Sequence, residues 1–95
     1  MAHTSEWKVR LHLFEDAAGT TKARLVLDTG VAQLVGRGSA HCHPEDADVP
    51  EIGDELAAGR AMNNLAGQLI RAAERDIEGV GATRPSRPQA TGWSL

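Results

Sequence analysis

Residues Val49–Gly79 read VPEIGDELAAGRAMNNLAGQLIRAAERDIEG, and the spacing of the apolar residues in this stretch decides the fold. Ile52, Leu56, Gly59, Met62, Ala66, Leu69, Ile70, Ala73 and Ile77 recur at three- and four-residue intervals, the period of one helical face. Arg60, Asn64, Gln68, Arg71, Arg75 and Glu78 fall on the other side. Pro50 suits a first turn, where its missing N–H would have had no intrahelical partner. Glu51, Asp54 and Glu55 sit at the positive end of the helix dipole, and Arg71 and Arg75 lie towards the negative end. Gly79 and Gly81 supply a stop. The pattern predicts one amphipathic helix over residues 51–79, and such a helix needs a surface to cover.

The surface lies upstream. EWKVRLHLFE, residues 6–15, alternates strictly: Trp7, Val9, Leu11 and Leu13 point one way, and Lys8, Arg10 and His12 the other. After the turn Asp16–Gly19, a second strand spans 20–28, with Ala23, Leu25 and Leu27 facing the core and Lys22, Arg24 and Val26 facing away. Thr29-Gly30 makes a second tight connection into a third strand, 31–42. Gly36 and Gly38 share one face of that strand and mark the place where the helix crosses the sheet, because a missing side chain lets it sit close. Short connections make the strands an antiparallel meander. The expected fold is therefore α+β: a three-stranded antiparallel meander under one long C-terminal helix, with Leu11, Leu25, Leu56, Ala66, Leu69 and Ile70 as its core. Residues 1–5 are expected to be a flexible start, 6–82 a single domain, and 83–95 an extended tail containing two X-Pro bonds.

Ninety-five residues hold one domain with a small core. The polar start MAHTSEWK and the absence of a long apolar run argue against a signal peptide or a membrane span, and the lone Cys42 fits a reducing cytoplasm. Charge is unevenly shared. Residues 1–40 carry five basic and four acidic side chains, whereas residues 41–82 carry three basic and nine acidic ones. Such asymmetry points to faces with different partners. Trp7, Phe14, Val26 and Val35 are more apolar surface than one thin protomer hides, so a homodimer through a sheet edge or the outer face is expected.

Three sets of residues invite a chemical reading. Asp28-Thr29-Gly30 is similar to the active-site loop of retroviral-type aspartic proteases, but Val31 follows where a small residue is expected, and a long helix stands where more strands are needed. Asp and Gly are ordinary turn formers, and a hairpin corner is the simpler reading. His41 and His43 are the metal candidates, since adjacent strand residues alternate in direction and only these two of His41-Cys42-His43 converge. Zinc sites draw on two spaced ligand pairs, and no second pair exists; no metal or cofactor is expected. Cys42 has no base named for it by the sequence. With no nucleophile–base pair and no phosphate-cradling loop, the chain reads as a non-enzyme without a small-molecule substrate.

The third set is Lys8, Arg10, Lys22, Arg24 and Arg37. By strand parity all five share the sheet face opposite the helix, joined by His12 and His41, with Asp28 as the acid at one end. A local basic surface on an acidic protein suits phosphate or RNA backbone contact. Phe14 is the one aromatic available for stacking there, too few for recognition of a single strand. The rival expectation is a protein-interaction module docking through the acidic helix face or the Arg84–Leu95 tail.

Several runs carry a family resemblance: Val49-Pro-Glu-Ile-Gly-Asp-Glu-Leu56, Arg60-Ala61, Leu65-Ala66, Gln68-Leu69, Asp76-Ile77-Glu78, Lys22-Ala-Arg24, Leu34-Val-Gly36, and the spaced Pro44 and Asp46. Over about residues 6–79 the chain resembles a family of small actinobacterial proteins of unknown function. The resemblance implies a fold like the double-stranded-RNA-binding domain, β-β-β-α, and a homodimer. It also implies a link to hypoxia or dormancy and, through likeness of fold to ribosome hibernation factors, a ribosome partner in non-growing cells. It implies no catalytic residues. Ala40-His41-Cys42-His43 stands where relatives tend to carry basic residues, and Gly59 where a better helix former is usual.

Overall fold

The computed structural model describes residues 2–43 and 49–83, with side chains described up to residue 79. Residues 44–48 and most of the expected tail lie outside the described residues. Strands β1 (Lys8–Glu15), β2 (Thr20–Asp28) and β3 (Gln33–His41) are followed by helix α1 (Pro50–Thr83). The sheet order is β1-β2-β3, antiparallel throughout, with the helix over one face, as the patterning requires.

The turns follow from local polar chemistry. Asp16 Oδ1 accepts the N–H groups of Ala18 at 2.9 Å and Thr20 at 3.0 Å, and Gly19 takes φ +84° to close the corner. At the next corner Asp28 Oδ1 accepts the Gly30 N–H at 2.8 Å, and Thr29 N donates to Ala32 O at 3.0 Å. The Asp-Thr-Gly run is thus a hairpin corner. It takes up residues 29–32, so β3 starts at Gln33 and not at Val31, which is almost fully exposed. Likewise Trp7 lies outside β1.

The core is Ala23, Leu25, Leu27, Ala40, Ala57, Ala61 and Leu65, with Leu34 and Leu69 packed against it. Leu25 and Leu69 meet expectation. Leu11, Leu56 and Ile70 are 38%, 47% and 53% exposed, and Ala66 is exposed as well. The helix therefore sits roughly 130°, more than a third of a turn, round from the face its bulkiest side chains indicate. The cause lies in β3. A Cβ at Gly36 would meet the Ala61 carbonyl oxygen and, at 2.8 Å, Leu65 Cβ. One at Gly38 would meet the Ala61 nitrogen and, at 2.7 Å, Arg60 Cβ. Helix backbone rests on strand backbone at the two glycines, and the small side chains of Ala57 and Ala61 permit that approach. Gly53 repeats the device over buried Thr21, whose Oγ1 lies 2.8 Å from where a Cβ would stand.

The same placement brings Arg60, Asn64 and Gln68, expected to face away from the sheet, onto the free edge of β3. Arg60 donates to Ser39 O at 2.7 Å, Asn64 Oδ1 accepts the Arg37 N–H at 3.1 Å, and Gln68 donates to Val35 O at 2.7 Å. Three residues spaced four apart occupy alternate backbone groups of an edge strand, which closes that edge to other chains. The helix also runs past its expected stop to Thr83, through Gly79 and Gly81. Glycine costs a helix only about 1 kcal/mol relative to Ala, too little to end one of this length.

Candidate functional site

Because Ala23 pairs with Gly38 and Leu25 with Gly36 beneath the helix, the intervening residues form the opposite face. Register orders that face in rows across the strands: Lys8, Asp28 and Gln33; Arg10, Val26 and Val35; His12, Arg24 and Arg37; Phe14, Lys22 and Ser39. All five basic residues singled out in the sequence therefore share one face. Asp28 is the acid on it, at the Lys8 end, and its Oδ1 is occupied by the Gly30 N–H.

The third row departs from ordinary sheet design. Arg24 and Arg37 are direct cross-strand partners, a like-charge pairing that destabilises a sheet. Their neighbours in register and two residues along each strand are His12, Lys22, Val26, Val35 and Ser39, and none is an acid. Val26, expected to be surplus apolar surface, is 8% exposed among these long side chains. His12, Phe14, Lys22, Arg24, Arg37 and Ser39 line a shallow depression of about 600 Å³. The cations are read readily from parity; their concentration at one end beside an exposed phenyl ring requires the register.

At the end of this face, Thr20 Oγ1 and His41 Nδ1 are 2.9 Å apart. The His41 and His43 rings do converge, edge to face with centroids 5.9 Å apart. Among the described residues, however, no three His, Cys, Asp or Glu side chains come together to hold a metal. Cys42 Sγ lies 3.5 Å from His43 O. Nearby, the Thr20 N–H holds the Asp16 carboxyl below the ordinary carboxylate value, helped by the Ala18 N–H and by the charges of Lys22 and His41. Among the described residues no helix is long and apolar enough to cross a membrane.

A family model described as Rv2632c-like matches residues 5–87. The chain belongs to the Rv2632c-like family. Uncharacterized protein Mb1767 of Mycobacterium bovis is 38% identical over 74 residues, 78% of this chain and 78% of that protein. Uncharacterized protein Rv2632c of Mycobacterium tuberculosis is 42% identical over 66 residues, 70% of this chain and 71% of its own. The crystal structure of Rv2632c superposes with a TM-score of 0.67 at 36% identity, covering 84% of this chain and 92% of the other. These Rv2632c-like relatives carry no described activity in their names.

Proposed function

We propose that this chain is a non-enzymatic cytoplasmic protein whose outer sheet face meets structured RNA through phosphate contacts. The observation that carries this reading is the acid-free row His12–Arg24–Arg37, where like charges are held together at a cost to the fold. A phosphate backbone would neutralise that row, and A-form RNA offers phosphates and 2′-hydroxyls more readily than base edges. Recognition would follow shape and not sequence. The ribosome of stressed or dormant cells is the target in keeping with the resemblance noted from the sequence.

A homodimer completes the proposal. The β3 edge is closed by Arg60, Asn64 and Gln68, while β1 is exposed along its whole length and the helix scarcely touches it. Two copies pairing β1 to β1 about Leu11 would set Val9 against Leu13 of the partner subunit, apolar on apolar, on the helix side of a six-stranded sheet. The basic faces would then run together and double the available contacts. The test is co-sedimentation with ribosomes from starved cells at low and moderate salt, comparing wild type with Arg10→Glu/Arg24→Glu. Wild type should pellet at low salt and be released as salt rises, and the variant should stay in the supernatant. Equal pelleting of the two, or none by wild type, refutes the reading.

A second reading has its own support. Ile52, Leu56, Met62 and Ile70 are exposed on the helix, a surface suited to docking a protein partner. Binding of that kind would persist at moderate salt.

A further inference from the structure

The depression on the outer face has a composition that phosphate contact alone does not account for. Phe14 is the chain's single phenylalanine and is 66% exposed, on the cationic side of an edge strand. Its cross-strand partner is Lys22, its same-face neighbour on β1 is His12, and no apolar side chain adjoins it in register. A phenyl ring so placed gains little from burial. Arg24 follows Lys22 on the same face of β2, and Arg37 stands opposite Arg24. By sheet geometry Arg24 and Arg37 are about 5 Å apart at the backbone, with Lys22 roughly 7 Å along the strand. These cations thus form a compact triangle, with the ring beside its Lys22 corner.

We propose that this depression binds one nucleotide, with its base stacked on Phe14 and its phosphates held by Lys22, Arg24 and Arg37. This rests on the phosphate reading of the same face and adds a base to it. A lone aromatic cannot guide a strand of stacked bases, but it suffices for one base, since every base presents a π-face and stacking is tolerant of sequence. Arg24 and Arg37 bring planar, multi-donor guanidinium groups suited to bidentate phosphate contact, and Lys22 a point charge. The volume of about 600 Å³ is within the range of small-ligand sites. The nucleotide could come from two sources, a free nucleoside polyphosphate or an unpaired residue of a folded RNA, and the base-plus-phosphate chemistry is common to both.

The experiment is calorimetric titration of the full chain with ATP, inorganic tripolyphosphate, a short oligoadenylate and a duplex RNA. It uses wild type, Phe14→Leu and Phe14→Ala, with folding checked by circular dichroism. Wild type should hold ATP about five- to a hundredfold more tightly than tripolyphosphate, the range expected of one stacked base. Both Phe14 variants should lose that advantage while keeping tripolyphosphate within about twofold of wild type. Oligoadenylate much tighter than ATP identifies the RNA source, and equal affinity identifies the free nucleotide. ATP no tighter than tripolyphosphate in wild type, or an advantage that survives loss of the ring, overturns the proposal while the backbone reading stands on duplex binding. If none of the four ligands binds, both readings fall together.

Discussion

Arg24 and Arg37 stand directly opposite one another on neighbouring strands, with no acid beside either in register. If the pair is there for an anion and not for the fold, relieving it should separate stability from binding. Arg37→Thr is expected to raise stability by about 0.5 kcal/mol, the scale of one cross-strand pair, and Tm by roughly 2–4 °C in a domain of this size. The gain should shrink at high salt. The same variant should bind duplex RNA more weakly. Thermal melts at two salt concentrations and a binding titration check both halves. A variant that melts lower at low salt while keeping its affinity would refute the argument.

Two glycines should respond to alanine in opposite directions. At Gly38 the new Cβ meets helix backbone at Ala57 and Ala61, which cannot move aside as a side-chain tip can. Gly38→Ala should destabilise by about 2–3 kcal/mol, the upper part of the range for overpacking. At Gly59 nothing lies within 4 Å of the added carbon, so Gly59→Ala should stabilise by about 0.8–1 kcal/mol through helix propensity. Urea unfolding of the two variants tests both signs.

The closed β3 edge predicts a third outcome. Gln68 bridges Val35 O at 2.7 Å and Asn64 Oδ1 at 3.0 Å. Gln68→Ala should cost about 1 kcal/mol, the net worth of a typical hydrogen bond, because water can replace it at an edge. It should also expose strand backbone, so light scattering on storage should rise more than that loss of stability explains.

Strand parity and the order of elements were legible in the sequence because a period of two and a period of 3.6 are set by backbone geometry, which a single chain states outright. So was the crossing at Gly36 and Gly38. The rotation of the helix was hidden because apolar pattern weighs Ile52, Leu56 and Ile70 above Ala57 and Ala61. Close backbone approach reverses that ranking. Arg60, Asn64 and Gln68 read as a solvated face for the same reason: their spacing shows that they align, and only the position of β3 shows what they bond. At the site, parity gathers the cations, whereas the pairing of Arg24 with Arg37 depends on register set by the length of the 29–32 corner.

Asp16 gives a pH prediction. Its carboxyl is held low in the folded chain by the Thr20 N–H, with the Ala18 N–H and the charges of Lys22 and His41 adding to the effect. The folded value lies below the unfolded one, about 3.9 for an ordinary Asp. The stabilisation is therefore complete above that value and is lost as pH falls through the folded one. Asp16→Asn keeps an acceptor oxygen but not the charge. It should be less stable than wild type at neutral pH and converge with it in strong acid. Denaturation midpoints across that range measure the gap, and a gap that stays constant or widens on acidification contradicts the account.

The last prediction joins the dimer to the proposed function. Leu11 lies at the middle of β1 on the helix side, 38% exposed, and β1 is the edge that α1 leaves uncovered. The proposed pairing about Leu11 would put the two Leu11 side chains in contact and set Arg10 beside His12 of the partner subunit on the outer face. Leu11→Lys would bring two like charges together in that apolar seam, while in the monomer a lysine at an exposed edge position is well tolerated. Sedimentation equilibrium at micromolar concentration should give wild type about twice 10.1 kDa and the variant a single chain mass. Circular dichroism should show the variant still folded. The doubled basic face then makes a second demand. The slope of log K against log salt counts displaced counterions at about 0.9 per phosphate contact on a B-form duplex, and the same counting serves for a duplex RNA. Splitting the dimer should therefore roughly halve the slope as well as weaken binding. A monomeric wild type removes the dimer outright. A Leu11→Lys monomer with the full wild-type slope would mean that one face makes all the contacts, and pairing would then have no part in RNA binding.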